Sequence, residues 1–270
     1  MTVSRADVEK AFIKAGCVKA DTVMFHSSLK SMGTVEGGAS AVYNGILDAT
    51  GPEGTVAAPS LWFNGNTEER PAKLFDVNTS PAYVGTIPET LRLDPRAFRS
   101  NHFSHAVCAI GVRAQELTLD HGKGKLYPAP WSDRAFAEIS PWSKLYSWNA
   151  LYCFIGVKMD TCTIKHYVEA RVTDHFLQKL PEDKRNAFRM LLAHDCTTPH
   201  LPWAYYSGLK MQSALEERGI ITTTTLGNAV LMALRTQPLV DTTTEILLAE
   251  PQKWFTTEFC KWIDKVLENA

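Results

Sequence analysis

The sequence predicts an α/β fold, and three observations carry that prediction. Apolar, β-branched runs such as Thr22-Val-Met-Phe25 alternate at short spacing with stretches of helical periodicity, the pattern of strands joined by helices. Leu151-Tyr-Cys-Phe-Ile155 is short, wholly apolar and closed by Gly156, as a core strand should be. The 270 residues are 45% hydrophobic and 21% charged, which allows a large buried core with no disulfide or metal staple. No repeat or compositional break divides the chain, so residues 1–270 read as a single domain.

The elements follow in order. Ser4 is an N-cap and Asp7 sits in the first turn, predicting a helix from Ser4 to about Ala15. A strand over 22–25 ends at His26-Ser27-Ser28. After the Gly37-Gly38 turn, Ala39, Val42, Tyr43, Ile46 and Leu47 recur at helical spacing until Gly51-Pro52. Residues 54–59 read as the next strand and residues 60–85 as a long functional loop. Thr86-x-x-Glu89 predicts a capping box on a short helix. Ala106–Ile110 is a buried strand closed by Gly111. Residues 120–135 form a loop, and Ser140-Pro141 opens a helix with Pro at its first position. Helices are expected over about 163–177, 181–193 and 205–218, then strands over 220–225 and 229–232. In the last segment Trp254, Phe255, Phe259, Trp262, Ile263 and Val266 form an apolar stripe, which reads as core.

Composition excludes several functions. Lys+Arg 28 against Asp+Glu 29 gives a net charge of −1, with no basic excess for nucleic acid. The longest apolar run is Ala150–Val157, too short for a bilayer, and the charged N-terminus does not resemble a signal peptide. A cytoplasmic protein with no membrane partner is expected. The six cysteines include no Cys-x-x-Cys pair, so reduced thiols and no metal site are expected.

The most informative cluster is Thr163-x-x-His166-x-x-Glu169. Residues three apart share a helix face, so a hydroxyl, an imidazole and a carboxylate would project together just past a core strand. A histidine beside a carboxylate suits a general base near neutral pH. The same spacing also fits a solvated polar face. The hydroxyls of His26-Ser27-Ser28, and Arg99-Ser100 ahead of the next strand, suit an anionic ligand or equally a surface turn. His102, His105 and His121 match no zinc spacing, and no Gly-x-Ser-x-Gly elbow or phosphate-binding glycine motif occurs.

Taken in order, these segments resemble the aminoglycoside 3-N-acetyltransferase (antibiotic N-acetyltransferase) family. The pieces are Val23-Met-Phe-His26-Ser-Ser-Leu29, Gly33-x-Val35-x-Gly37-Gly38, Gly51-x-x-Gly54-Thr55 with Pro59, and Phe75-Asp76-x-x-x-Ser80-Pro81-x-x-x-Gly85-x-x-Pro88-Glu89. Arg99-Ser100-x-His102, Ala109-Ile110-Gly111, Ser140-Pro141-x-x-Lys144-Leu145 and the Thr-x-x-His-x-x-Glu element complete the match over roughly residues 5 to 235. Phe103, Ala106 and Ile139 depart from it, where the family usually has Pro, Ser and Gly.

The resemblance implies a central mixed sheet flanked by helices, distinct from the GCN5-type fold, and direct acetyl transfer from acetyl-CoA to an amine without metal. It implies His166 as general base, Thr163 beside the thioester carbonyl and Glu169 as the helix carboxylate. Asp195 is the candidate acid that would hold His166. His26, Ser27, Ser28, Leu29, Gly33, Val35, Arg99, Ser100, His102 and Ser140 would line the coenzyme A groove, with Phe75 and Asp76 toward the acceptor. The partner is a small-molecule amine, and the apolar C-terminal helix leaves a homodimer open. A binder of polycations is expected to be acidic, so the neutral balance widens the acceptor class to less cationic amino sugars. Two other readings stay open: a coenzyme A-binding homologue without transfer activity, and a metal-dependent hydrolase.

Overall fold

The computed structural model describes residues 2–62, 72–195 and 203–270. The strands are β1 (Thr2–Val3), β2 (Thr22–Ser27), β3 (Thr34–Val35), β4 (Thr55–Pro59), β5 (Phe98–Arg99), β6 (Val107–Gly111), β7 (Leu151–Ile155), β8 (Thr222–Leu226) and β9 (Ala229–Arg235). The helices are α1 (Arg5–Lys14), α2 (Gly38–Thr50), α3 (Thr86–Leu93), α4 (Ala114–Thr118), α5 (Pro141–Ser147), α6 (Ile164–Leu177), α7 (Glu182–Asp195), α8 (Gly208–Glu217), α9 (Thr236–Ala249), α10 (Pro251–Trp254) and α11 (Thr257–Glu268).

Seven strands form one mixed sheet in the order β5-β6-β4-β2-β7-β9-β8, and β1 pairs with β3 apart from it. The central strands β4, β2 and β7 are parallel, while β6, β5, β9 and β8 run antiparallel to their neighbours. Side chains alternate across the sheet, so each central strand feeds two cores. Val23 and Phe25 join Val56, Ala58, Cys153 and Ile155 against α1, α2 and α3. Met24, Ala57, Tyr152 and Phe154 join the other core with α5, α6, α9 and α11. Strands covered on both faces read as continuous apolar runs, which is why Leu151–Ile155 stood out.

Local chemistry explains most of the ends. Ser4 and Asp7 make a reciprocal capping box at α1, and the Ser140 hydroxyl accepts the Ser143 N–H with Pro141 in the first turn of α5. The capping box expected at Thr86 does not form. Gly85, at φ +116°, caps α3 instead, and Glu89 accepts from the Ala82 N–H and from Arg92. Gly111 closes β6 at φ +128°, where a Cβ would lie 2.2 Å from the Gly54 carbonyl oxygen, so the turn requires glycine. The apolar stripe of the last segment is core: Phe259 and Trp262 are buried, and the Trp262 indole donates to the Phe188 carbonyl. No helix among the described residues is long and apolar enough to cross a membrane.

Candidate active site

One edge of the sheet collects the polar residues. β2 and β4 are parallel, so their carboxyl ends, at Ser27 and Ser60, lie side by side. β6 is antiparallel to β4, with Val107 opposite Pro59, and this brings His102–Ala106 to the same edge. β7 ends there at Ile155, and α6 begins beside it after a short 3₁₀ turn. Such an edge is where open α/β sheets hold ligands.

His166 stands in the first turn of α6. Its Nδ1 lies 2.5 Å from Glu169 Oε2. A carboxylate only accepts, so Nδ1 is the donor to it. The side chain is 20% exposed, whereas that of Glu169 is 9% exposed. The ring meets Trp131 edge-on at 4.5 Å between centroids and His105 at 5.8 Å, with Phe136 at 6.3 Å. The imidazole is thus walled by aromatic rings and partly exposed. Thr163 is buried one turn earlier, and its carbonyl accepts the His166 N–H at 3.0 Å. Its hydroxyl has no hydrogen bond among the described residues.

His26 ties the sheet to this turn. The Ile164 N–H donates to the Tyr152 hydroxyl at 3.3 Å, and that hydroxyl lies 2.7 Å from His26 Nε2. The Thr163 N–H also points at Nε2, at 3.5 Å, so Nε2 accepts. Burial lowers the His26 pKa to about 3, so it is neutral and offers a phosphate no charge. Ser27 Oγ and Ser60 Oγ are buried with no hydrogen-bond partner among the described residues. Ser28 donates its N–H to the Ile155 carbonyl. Leu29 and Val35 pack against the opposite core, with Gly33 at φ +85° between them in sequence.

Several expected ligand contacts are committed elsewhere. Ser100 Oγ is 2.9 Å from His121 Nδ1 and accepts the Val107 N–H at 2.9 Å, and Ser100 is fully buried. The Ser140 hydroxyl is the cap of α5. The Asp76 carboxylate accepts from the Asn78 and Thr79 N–H groups of its own loop, which lowers its pKa. Phe75 lies under the Arg99 guanidinium, 4.9 Å from the ring centre. Asp195 is not brought to His166. It sits exposed at the end of α7, 2.8 Å from His194 Nδ1 and 3.4 Å from Lys265 Nζ, because α7 docks on α11. Glu169 occupies the place expected for it.

Arg99 is a structural tie rather than a free cation. Nη2 donates to the Ser60 carbonyl at 2.6 Å, and Nη1 donates to the Val77 carbonyl at 3.3 Å and to the Ser80 carbonyl. Burial pushes its pKa down to about 10. A lysine cannot span these carbonyls from one nitrogen. Arg99→Lys is expected to cost about 2 kcal/mol, read as a drop of roughly 5 °C in melting temperature.

His102, His105 and His121 do converge, but the Nδ1 atoms of His102 and His105 and both nitrogens of His121 are engaged by the chain. His102 Nδ1 accepts the His105 N–H at 3.1 Å, and His105 Nδ1 meets Ser104 Oγ at 2.8 Å. His121 Nε2 donates to the Ala135 carbonyl at 2.9 Å. Among the described residues no three ligand side chains are arranged to hold a metal ion. A cavity of about 680 Å³ opens beside them, lined by Phe75, Asn101, His102, Phe103, Lys123 and Arg134 among others. Trp131 and Lys165 also border the His166–Glu169 pair, as does His105, which the sequence offers only as a weak metal ligand. Of the first two, only Lys165 had a readable signal, its i,i+4 spacing to Glu169.

Comparison with known proteins agrees with this architecture. The sequence model of the family described as aminoglycoside 3-N-acetyltransferase matches residues 24–248. Aminoglycoside N(3)-acetyltransferase IX of Micromonospora chalcea is 27% identical over 183 residues, 62% of this chain and 62% of that protein. The matched segment therefore spans less than two thirds of that relative. AAC-IIIb in a binary complex with CoASH superposes with a TM-score of 0.69 at 19% identity, over 95% of this chain and 99% of that one. AAC-VIa bound to sisomicin superposes with a TM-score of 0.71 at 20% identity, over 93% and 99%.

Proposed function

Because the chain belongs to the aminoglycoside 3-N-acetyltransferase family, we propose that it transfers an acetyl group from acetyl-CoA to an amine of an aminoglycoside or other amino sugar. The observation that carries the reading is the His166–Glu169 pair, 2.5 Å apart at the start of α6 with the imidazole reachable from outside. Bound acetyl-CoA would supply the acyl carbon as a thioester. The buried hydroxyls of Ser27 and Ser60, unpartnered among the described residues, suit its amide and carbonyl groups at the sheet edge. An acetyltransferase of the same fold in complex with CoASH supports that choice of donor.

His166 does the proton work. An attacking amine must lose a proton as its N–C bond forms, and Nε2 is the free lone pair. Glu169 holds the ring in that tautomer and stabilises the imidazolium that results. The same proton can then pass to the departing sulfur. Thr163, with its hydroxyl unspent on the described residues, is assigned to the oxygen that gains charge in the transition state.

Thiol release from acetyl-CoA with a panel of acceptors tests the reading. Release with aminoglycosides or with neutral and anionic amino sugars is expected, and the responding set defines the acceptor. No release with any amine, while coenzyme A still binds, would overturn the transferase reading.

A further inference from the structure

Glu169 has a second oxygen, and its surroundings are unusual. Among the described residues Oε1 is buried and has no hydrogen bond, and Lys165 Nζ lies 3.5 Å from it, one helical turn back. The Lys165 side chain is only 6% exposed. Its ammonium donates to the Tyr206 carbonyl at 2.9 Å and lies 3.9 Å above the Tyr205 ring. Burying an ammonium is costly unless an anion answers it, and surface lysines at this spacing contribute little. Here both members of the pair are buried, and one of them is the carboxylate that orients the base.

The other titratable groups around the pair are neutral. His105, from the segment before β6, is held well below its ordinary pKa by burial and by the charge of neighbouring histidines, His166 first. Tyr206, from the segment before α8, and Tyr152, from β7, are held well above theirs by burial. Cys162, just ahead of α6, is pushed up to about 12. Tyr205 adds only its ring face. Lys165 and Glu169 are thus the opposed charges that His166 senses among the described residues.

We propose that Lys165 is a positioning residue for the base: it balances the Glu169 carboxylate so that Oε2 orients His166 without locking the imidazole in its protonated form. The inference rests on the reading of His166 as the base. Without the ammonium, an unbalanced carboxylate favours imidazolium, which has no lone pair for the amine. The basic form of His166 would then appear only at higher pH.

The test is an NMR titration of the His166 imidazole in wild type, Lys165→Met, Lys165→Gln and Lys165→Arg, with the pH profile of kcat/KM beside it. Lys165→Gln keeps a donor for the Tyr206 carbonyl and loses the charge, which separates a strut from a charge. The midpoint is expected to rise by about one pH unit in the Met and Gln variants and to return toward wild type in Arg. The acidic limb of kcat/KM should move with it. Folded Met and Gln variants with an unmoved midpoint would overturn the proposal, as would a requirement for positive charge simply to fold. The NMR readout needs no turnover, so failure of the transferase reading shows separately, as an inert wild type whose His166 still titrates.

Discussion

His166→Ala should lower kcat by about a thousandfold and leave coenzyme A affinity within about twofold. The loss is that large because alanine removes the acceptor of the amine proton, and the neighbouring imidazole of His105 is held well below its ordinary pKa by burial and so is a much weaker base. Affinity for the donor should hold, because the hydroxyls assigned to it belong to β2 and to the residue after β4, not to His166. Glu169→Gln gives the companion result. An amide can still hold the Nδ1 proton through its oxygen, but it has no charge to set against imidazolium. A loss of roughly a hundredfold in kcat is expected, together with a lower melting temperature, because the buried Lys165 ammonium loses the anion that answers it. Stopped-flow thiol release and calorimetric titration of coenzyme A separate the two quantities. An His166→Ala enzyme with wild-type turnover would return the Thr-x-x-His-x-x-Glu face to an ordinary solvated helix surface.

Much of this site was legible because it is local. The spacing of Thr163, His166 and Glu169 places them on one face whatever the tertiary structure does, and α6 begins one residue from its expected start. The strand β7 and the Val23–Phe25 part of β2 are legible because burial on both faces leaves an uninterrupted apolar run. What was not legible depends on long-range pairing. His102, His105 and His121 meet only because β6 runs antiparallel to β4 and the 120–139 segment folds back, with the Gly122 N–H on the Ile139 carbonyl. The two-residue strands β1, β3 and β5 carry too few side chains to make a pattern. Arg99 and Ser100 were read as ligand contacts because their chemistry suits phosphate. Nothing in the sequence told that backbone carbonyls and His121 would claim them first. Asp195, expected as the orienting acid, pairs with His194 and Lys265, and Glu169, three residues from His166, meets the imidazole.

Acid should unfold this protein earlier than its carboxylates alone would. His26 and His102 are held at about 3 and His121 at about 4, chiefly by burial, and His105 lies well below its ordinary value for the same reason. In the unfolded chain each titrates near 6.5. Above that pH neither state binds these protons and the folded state keeps its full stability. Between about 6.5 and 4 the unfolded chain takes up protons that the folded chain refuses, so stability falls as pH falls. The slope approaches roughly 1.4 kcal/mol per pH unit for each such imidazole, or several kcal/mol by pH 5, a large share of a typical domain's stability. Carboxylates held low by their partners, such as Asp94 beside Arg96, act only below that window. Urea midpoints followed by circular dichroism should therefore drop steeply between pH 7 and pH 5, and His121→Gln should flatten the slope by about one proton. A flat urea midpoint over that range would mean that the imidazoles are not held neutral inside the fold. The same curve governs how activity is read: an acidic limb in kcat/KM belongs to His166 only where the urea midpoint shows the chain still folded.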